Sequence, residues 1–292
     1  ALRSSGDRGF PGKNDSRAYN RSMQTSPAAA MSYREMPPDR ELAPFVAAHW
    51  VFRVAADAGT IEHHIPLTGG AFLSIDPDGA AVLVGPRLTP LGSTVAGGSV
   101  YCGSMFWPGG ARALFGLGKT ALREEIHPIA PLLGAEWATS LRQAGRAFRQ
   151  SDEAGRLAID SSLREALATA APIDERVLRA ALVLVRSEGR TTAAEVARLV
   201  GLSPRQLRRR FRASAEMSLK EFARLRRVRA SAANAVFHPE SWAGIAQGAG
   251  FADQAHLSRE FRELIGVSPK AFERHARRIA HELASPPESD GD

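Results

Sequence analysis

One cysteine, Cys102, in 292 residues excludes an intrachain disulfide framework and a cysteine-built zinc site. Such thiol usage fits a reducing, cytoplasmic compartment. No run approaches the roughly 18–20 apolar residues that cross a bilayer, so no membrane partner is expected. The first thirty residues lack the apolar stretch of a secretory signal and hold Gly, Ser, Asn and Arg in no periodic order. They are expected to be a disordered leader of upstream or vector origin, with Met31 as the natural start and residues 285–292 as a frayed tail. No paired-carboxylate or serine–histidine–aspartate spacing stands out, so no catalytic residue is assigned. His63 and His64 are adjacent and would face opposite sides of a strand, which speaks against a shared metal. With His49 and His127 they are expected to have packing or surface roles, and no metal or cofactor is expected. Cys102 is expected to be buried and inert.

Charge, by contrast, is plentiful and concentrated. The net charge is +7, yet residues 198–229 hold eleven basic and two acidic residues, a local +9 that leaves the rest of the chain at −2. That points to a polyanion, nucleic acid before membrane surface, with a solvated helix face as the plain alternative.

The fold class expected is α+β. Residues 31–135 read as a β-rich sensor or dimerisation domain, with short apolar stretches such as Ala71–Ile75 and Ala81–Val84 between Gly, Pro and Asp turns. The aromatics Phe45, Trp50, Phe52, Phe72, Phe106 and Trp107 should form its core, some of them lining a pocket. Residues 136–172 read as a helical connector, and 173–284 as an all-α DNA-binding domain. Within it lies a repeat. Glu195–Leu202 aligns with Gly244–Phe251 at an offset of 49; Leu207, Arg209, Phe211, Ser218, Lys220 and Phe222 then align with Leu257, Arg259, Phe261, Ser268, Lys270 and Phe272 at 50.

Each copy spells a helix-turn-helix. Thr192 and Glu195 make a capping box that starts a helix at Ala193, with Val196, Leu199 and Val200 turned inward. Gly201 ends it, in the left-handed conformation that glycine tolerates. Ser203 caps the next helix, Pro204 takes its first position and Gln206 completes a second box. Leu207 and Phe211 face the core, so Arg205, Arg208 and Arg209 face out, suited to guanine edges or phosphates. In the second copy Asp253 caps Gln254–Phe261. Gln254, Ala255, His256 and Arg259 face out; Ala255 suits a thymine methyl and Gln254 or His256 a base edge, with phosphate contact or plain exposure open for His256. Gly244 and Gly248 weaken its first helix by about 1 kcal/mol each against Ala. Leu219–Phe237, carrying Arg224, Arg226, Arg227 and Arg229, reads as one helix coupling the units, so that two recognition helices could enter major-groove segments about 34 Å apart.

These residues resemble the AraC family of bacterial transcription regulators. Residues 175–278 carry the likeness, above all Ile245-Ala-Gln-Gly-Ala-Gly-Phe-Ala-Asp-Gln-Ala-His-Leu-Ser-Arg-Glu-Phe261 and Gly266-Val-Ser-Pro-Lys-Ala-Phe272. The resemblance implies a seven-helix DNA-binding domain, a double-stranded operator as partner, and DNA contacts from Arg205, Arg208, Arg209, Gln254, Ala255, His256 and Arg259. Glu216 and Leu219 stand where the family usually has glycine and proline, and Gly248 where a larger residue is common. Arg34–Trp50 and Phe106–Gly110 are similar to the family's β-rich sensor domain, which implies ligand sensing or dimerisation. RNA polymerase, a small-molecule effector and a second copy of the chain are left open as partners. A DNA-repair methyltransferase with similar units would need several placed cysteines.

The alternative is a nucleotide-binding switch or enzyme centred on Lys119. Ala113-Leu-Phe-Gly-Leu-Gly-Lys-Thr120 fits a relaxed phosphate-loop pattern, but that loop needs a strand before it and a long helix after it.

Overall fold

The computed structural model describes residues 30–282 apart from Pro66, His238 and Pro239. The leader before Ala30 and the tail 285–292 lie outside the described residues.

The apolar stretches between turns become strands. They are β1 (Met31–Met36), β2 (Val46–Val54), β3 (Thr60–Ile65), β4 (Phe72–Ile75), β5 (Ala81–Val84), β6 (Leu91–Ala96), β7 (Val100–Phe106) and β8 (Ile126–Pro128). The turn from β4 to β5 shows why Asp punctuates this region: the Asp76 carboxylate accepts from the amides of Asp78 (2.9 Å) and Ala80 (2.8 Å). A final strand, β9 (Ile279–Glu282), completes a seven-stranded sheet of order β8-β5-β4-β7-β2-β1-β9, while β3 and β6 pair separately. Register is set by pairs such as Val51 with Cys102 and Phe72 with Met105. Side-chain alternation then gives each strand two faces. Val51, Leu73, Ile75, Cys102 and Phe106 point one way; Phe52, Phe72 and Met105 point the other.

A short helix α1 (Gly110–Leu114) follows β7, and α2 (Ile129–Leu133) follows β8. The first face is covered by α3 (Ala135–Gln150) and α4 (Asp152–Glu165). Leu141, Ala144 and Phe148 of α3 and Ile159 and Leu163 of α4 are all buried in the sheet's own core. Residues 136–172, expected as a connector, therefore complete the first domain. Their apolar stripe is too wide to leave in water when a sheet face lies open beside it. The chain leaves at Ala171, whose amide is still held by the Ala113 carbonyl at 2.8 Å.

Sequence spacing also concealed a buried polar bracket. His49 on β2 contacts Ser104 on β7 through Nδ1 (2.8 Å) and Asp160 on α4 through Nε2 (2.9 Å). Asp160 further accepts from the Asp39 amide (3.0 Å) and Arg156 (2.8 Å). Serine, histidine and aspartate thus meet after all, but all three are fully buried, and no substrate reaches them. They tie α4 to the sheet. Burial opposes ionisation of Asp160, but the bonds from His49 and the Asp39 amide and the charge of Arg156 outweigh it, holding the carboxyl below its usual range.

Cys102 is buried as expected, and burial pushes its thiol up to about 12. A thiol reagent at pH 8 should leave the native chain unlabelled and label it once on unfolding. Labelling of the native chain at the rate of free cysteine would contradict this placement.

The helical domain begins at the Asp174 cap. It comprises α5 (Glu175–Arg186), α6 (Ala193–Leu199), α7 (Pro204–Ala215), α8 (Leu219–Phe237), α9 (Trp242–Gly248), α10 (Gln254–Ile265) and α11 (Pro269–Ala276), the seven helices implied by the resemblance. Two cores form, one per unit. Val177, Leu184, Val196, Leu207, Phe211 and Phe222 fill the first. Leu225, Val228, Trp242, Ile245, Leu257 and Phe261 fill the second, so α8 is shared between them. The strand β9 then returns beside β1, in parallel, which the 173–284 boundary did not foresee. Among the described residues no helix is long and apolar enough to cross a membrane.

Candidate DNA-binding surface

Each unit is built by its caps. Thr192 Oγ1 accepts from the Glu195 amide (3.3 Å) while Glu195 accepts from the Thr192 amide (2.9 Å), starting α6. Ser203 and Gln206 repeat the exchange at α7 (3.2 and 3.0 Å). In the second unit Ser241 caps α9, and Asp253 caps α10 by accepting from the His256 amide (2.6 Å). Between the paired helices stand Gly201 (φ 65°) and Gly250 (φ 75°), both left-handed. The amide after each glycine closes the same bond: Leu202 to the Ala197 carbonyl and Phe251 to the Ala246 carbonyl, both 2.9 Å. The repeat in sequence is a repeat in backbone geometry.

Leu199 departs from the reading above. It is 53% exposed, because Ala197 takes the inward position beside Val196 and Val200 on this seven-residue helix.

Arg205, Arg208 and Arg209 are all exposed along α7, and none is covered by its own core. Arg212 continues the same stripe and is also exposed; the three- and four-residue spacing that singled out the others would have found it. Arg210 turns away to Asp174 at 2.7 Å. On α10, Gln254, Ala255 and Arg259 are exposed. His256 is half-covered: its ring meets Phe251 edge-on at 5.4 Å and lies 3.5 Å from Glu260.

The basic density splits in two. Arg198, Arg205, Arg208, Arg209, Arg212 and Lys220 face solvent. The arginines of α8 do not form a solvent-facing row. Arg224 pairs with Glu260 and Glu263, which fixes α10 against α8. Arg227 lies over the Phe251 ring at 5.6 Å. Arg229 reaches Glu35 of β1 at 3.3 Å. Of the eleven cations counted in residues 198–229, Arg210, Arg224, Arg227 and Arg229 are thus engaged by other parts of the fold. Arg190 adds a link between units, donating to the Gly248 carbonyl at 3.2 Å.

Glu216 explains its own departure from the family pattern. It caps α7 in the left-handed region (φ 55°), where glycine would be unstrained. Its carboxylate is occupied: it pairs with Arg112 and accepts from the amides of Leu122 (3.1 Å) and Arg123 (3.2 Å). Arg123 in turn binds Glu221 at 2.9 Å. The bond from Arg123, with help from the Ser218 amide, takes the Glu221 carboxyl down to about 2. A depressed carboxyl stabilises the fold above its unfolded pKa and loses that contribution as pH falls from about 4.5 toward 2. Urea midpoints should therefore drop across that window, and Glu221→Gln should flatten the drop; an unchanged slope in the variant would refute it.

The Lys119 loop lacks its required context. It follows helix α1 instead of a strand, and the next regular element is the short strand β8. Its Gly118 and Thr120 carbonyls face the Arg112 guanidinium. Carbonyls turned onto a cation are the reverse of an amide cradle for phosphate.

A cavity of about 330 Å³ lies between the second sheet face and the second unit. Trp50, Phe52 and Phe72 line one wall, with Val236 of α8 and Phe272 of α11 opposite. Three of the six aromatics expected in the core thus border it, whereas Phe106 is in the helix-side core. His63 contacts His275 of α11 at 3.2 Å, and the His64 and His275 rings are 5.8 Å apart. The adjacent histidines converge on a third across the domain boundary, though no metal-holding group of three or more His, Cys, Asp or Glu occurs among the described residues.

Residues 196–275 match the family described as a helix-turn-helix domain, and residues 34–128 match a domain of unknown function, DUF6597. No curated protein matches significantly. Several solved structures are similar. A regulator with an AraC-type DNA-binding domain from Chromobacterium violaceum shares 19% identity over 35% of this chain and 92% of its own, with a TM-score of 0.34. A DNA-binding transcriptional dual regulator from Escherichia coli shares 20% over 35% and 91%, at 0.32. ToxT from Vibrio cholerae shares 13% over 84% and 96%, at 0.43. With the helix-turn-helix family matched across both units, and the signature from Ile245 to Phe272 seated in a seven-helix domain, residues 196–275 belong to a helix-turn-helix family of the DNA-binding type.

Proposed function

We propose that α7 and α10 enter successive major-groove segments on one face of an operator duplex, and that a small apolar effector in the cavity between the domains controls this. The observation that carries the reading is the pair of capped helices with open outer faces, held at a fixed angle by α8 and the Arg224 pairs. Arg205, Arg208 and Arg209 serve the first segment, and Gln254, Ala255 and Arg259 the second. His256 is assigned the second segment's rim, since Phe251 and Glu260 hold its ring. The cavity supports control because its walls come from both the sheet and the second unit, so an occupant touches what senses and what binds.

Selection of bound duplexes from a random pool tests this. One asymmetric site with two short conserved segments about one helical turn apart is the expected result. A palindrome of two such sites would add a homodimer. Enrichment of a single short segment would remove the second helix from the reading, and no enrichment would leave only charge-driven binding.

A further inference from the structure

The repeat brings a second pair of positions into correspondence. Glu216 and Gly266 are equivalent at the offset of 50, and each caps the C-terminal end of a helix proposed for the groove. Both are left-handed, with φ of 55° and 88°. Both also rest on the first domain. Arg112 and the amides of Leu122 and Arg123 hold the Glu216 carboxylate, and its carbonyl accepts from the Arg123 guanidinium at 2.8 Å. Two residues earlier on α7, Ser214 abuts Gly109 so closely that a side chain on that glycine would find no room. At the second cap, Gly266 faces Pro90: a Cβ on Gly266 would lie 3.1 Å from the proline ring. Leu88, two residues away, packs against the second unit's core.

These two seats are fastened to each other. The Glu124 carboxylate accepts from the amides of Leu88 (2.7 Å) and Thr89 (3.4 Å), and its own amide donates to the Pro86 carbonyl (3.0 Å). Next to it, the Gly85 amide donates to the Glu125 carbonyl at 2.9 Å. Glu124 adopts φ 61°, a conformation uncommon outside glycine. It directly follows Leu122 and Arg123, which carry the first seat. Since α7 passes into α8 through the short turn 216–218, whatever holds Glu216 bears on the angle between them.

Resting on the two-segment reading above, we propose that Glu124 is a positioning residue for DNA recognition: it clasps both seats into one platform of the first domain, and that platform sets the spacing of operator segments the chain accepts. Two coupled sites lose their joint affinity when geometry forbids simultaneous engagement. A rigid platform therefore turns spacing into specificity.

Duplexes carrying both selected segments, with one base pair added or removed between them, test this on the full chain. Each base pair moves the far segment by about 3.4 Å and turns it by about 34°. The wild-type chain should lose about tenfold or more in affinity on either change. Glu124→Gly removes the clasp, and Glu216→Gly removes the first seat's carboxylate; glycine is unstrained at both positions, so both variants should melt cooperatively. Each should bind a duplex with one segment as the wild type does, yet lose only about threefold or less on the altered spacings. Glu124→Gln keeps an oxygen for the Leu88 amide and should restore the wild-type preference, which a general loosening of the fold would not do. An unaltered spacing preference in both glycine variants overturns the platform and leaves the two-segment reading standing. So does equal wild-type affinity at all three spacings. A selected site with a single segment overturns both.

Discussion

Replacing Arg208 and Arg209 together with Ala is expected to weaken binding to the selected operator by on the order of 2–5 kcal/mol. Both side chains are exposed on α7, so the fold loses no buried contact and the melting temperature should hold. The loss should be larger on the selected site than on random duplex, because base-edge bonds discriminate whereas phosphate contacts do not. Two parallel titrations at one salt concentration decide the matter. Equal losses on both duplexes would make these arginines phosphate contacts. Undiminished operator affinity and specificity would remove them from the interface.

Asp160→Ala should cost the first domain about 3–5 kcal/mol, the penalty for stranding buried partners of a charge. His49 Nε2, the Asp39 amide and Arg156 would each lose an acceptor at once. Asp160→Asn keeps one oxygen and should lose less. Urea midpoints of the two variants measure the difference. A loss under about 1 kcal/mol in Asp160→Ala would mean that water replaces the carboxylate and that the bracket is not what pins α4.

The helical half of the molecule was written in local signals. Caps, the two turn glycines and apolar positions three and four apart are decided within a few residues of one another. The β-rich half was legible only as a class, because strand pairing joins distant segments. Nothing local says that β2 sits between β1 and β7, or that His49 meets Ser104 and Asp160. The same limit misjudged residues 136–172, whose amphipathic pattern says that one side is buried without saying under what. Of the residues proposed for recognition, exposure of Arg205, Arg208, Arg209, Gln254, Ala255 and Arg259 followed from helical phase. The half-covering of His256 did not, since Phe251 lies across the turn and Glu260 is itself held by Arg224. For α8 the arginine count concealed the packing: Arg224 and Arg229 find carboxylates on other elements, which no spacing along the helix reveals.

The parallel pairing of β9 with β1 gives the last few described residues an outsized structural duty. With β9 in place, the second helix-turn-helix unit is tied at both of its chain ends, by α8 ahead and by the strand behind. A chain cut after Ala276 would free that rear tie and leave the outer rim of β1 with unpaired amides and carbonyls. An open rim of that kind recruits any extended segment that fits, including one from a neighbouring molecule.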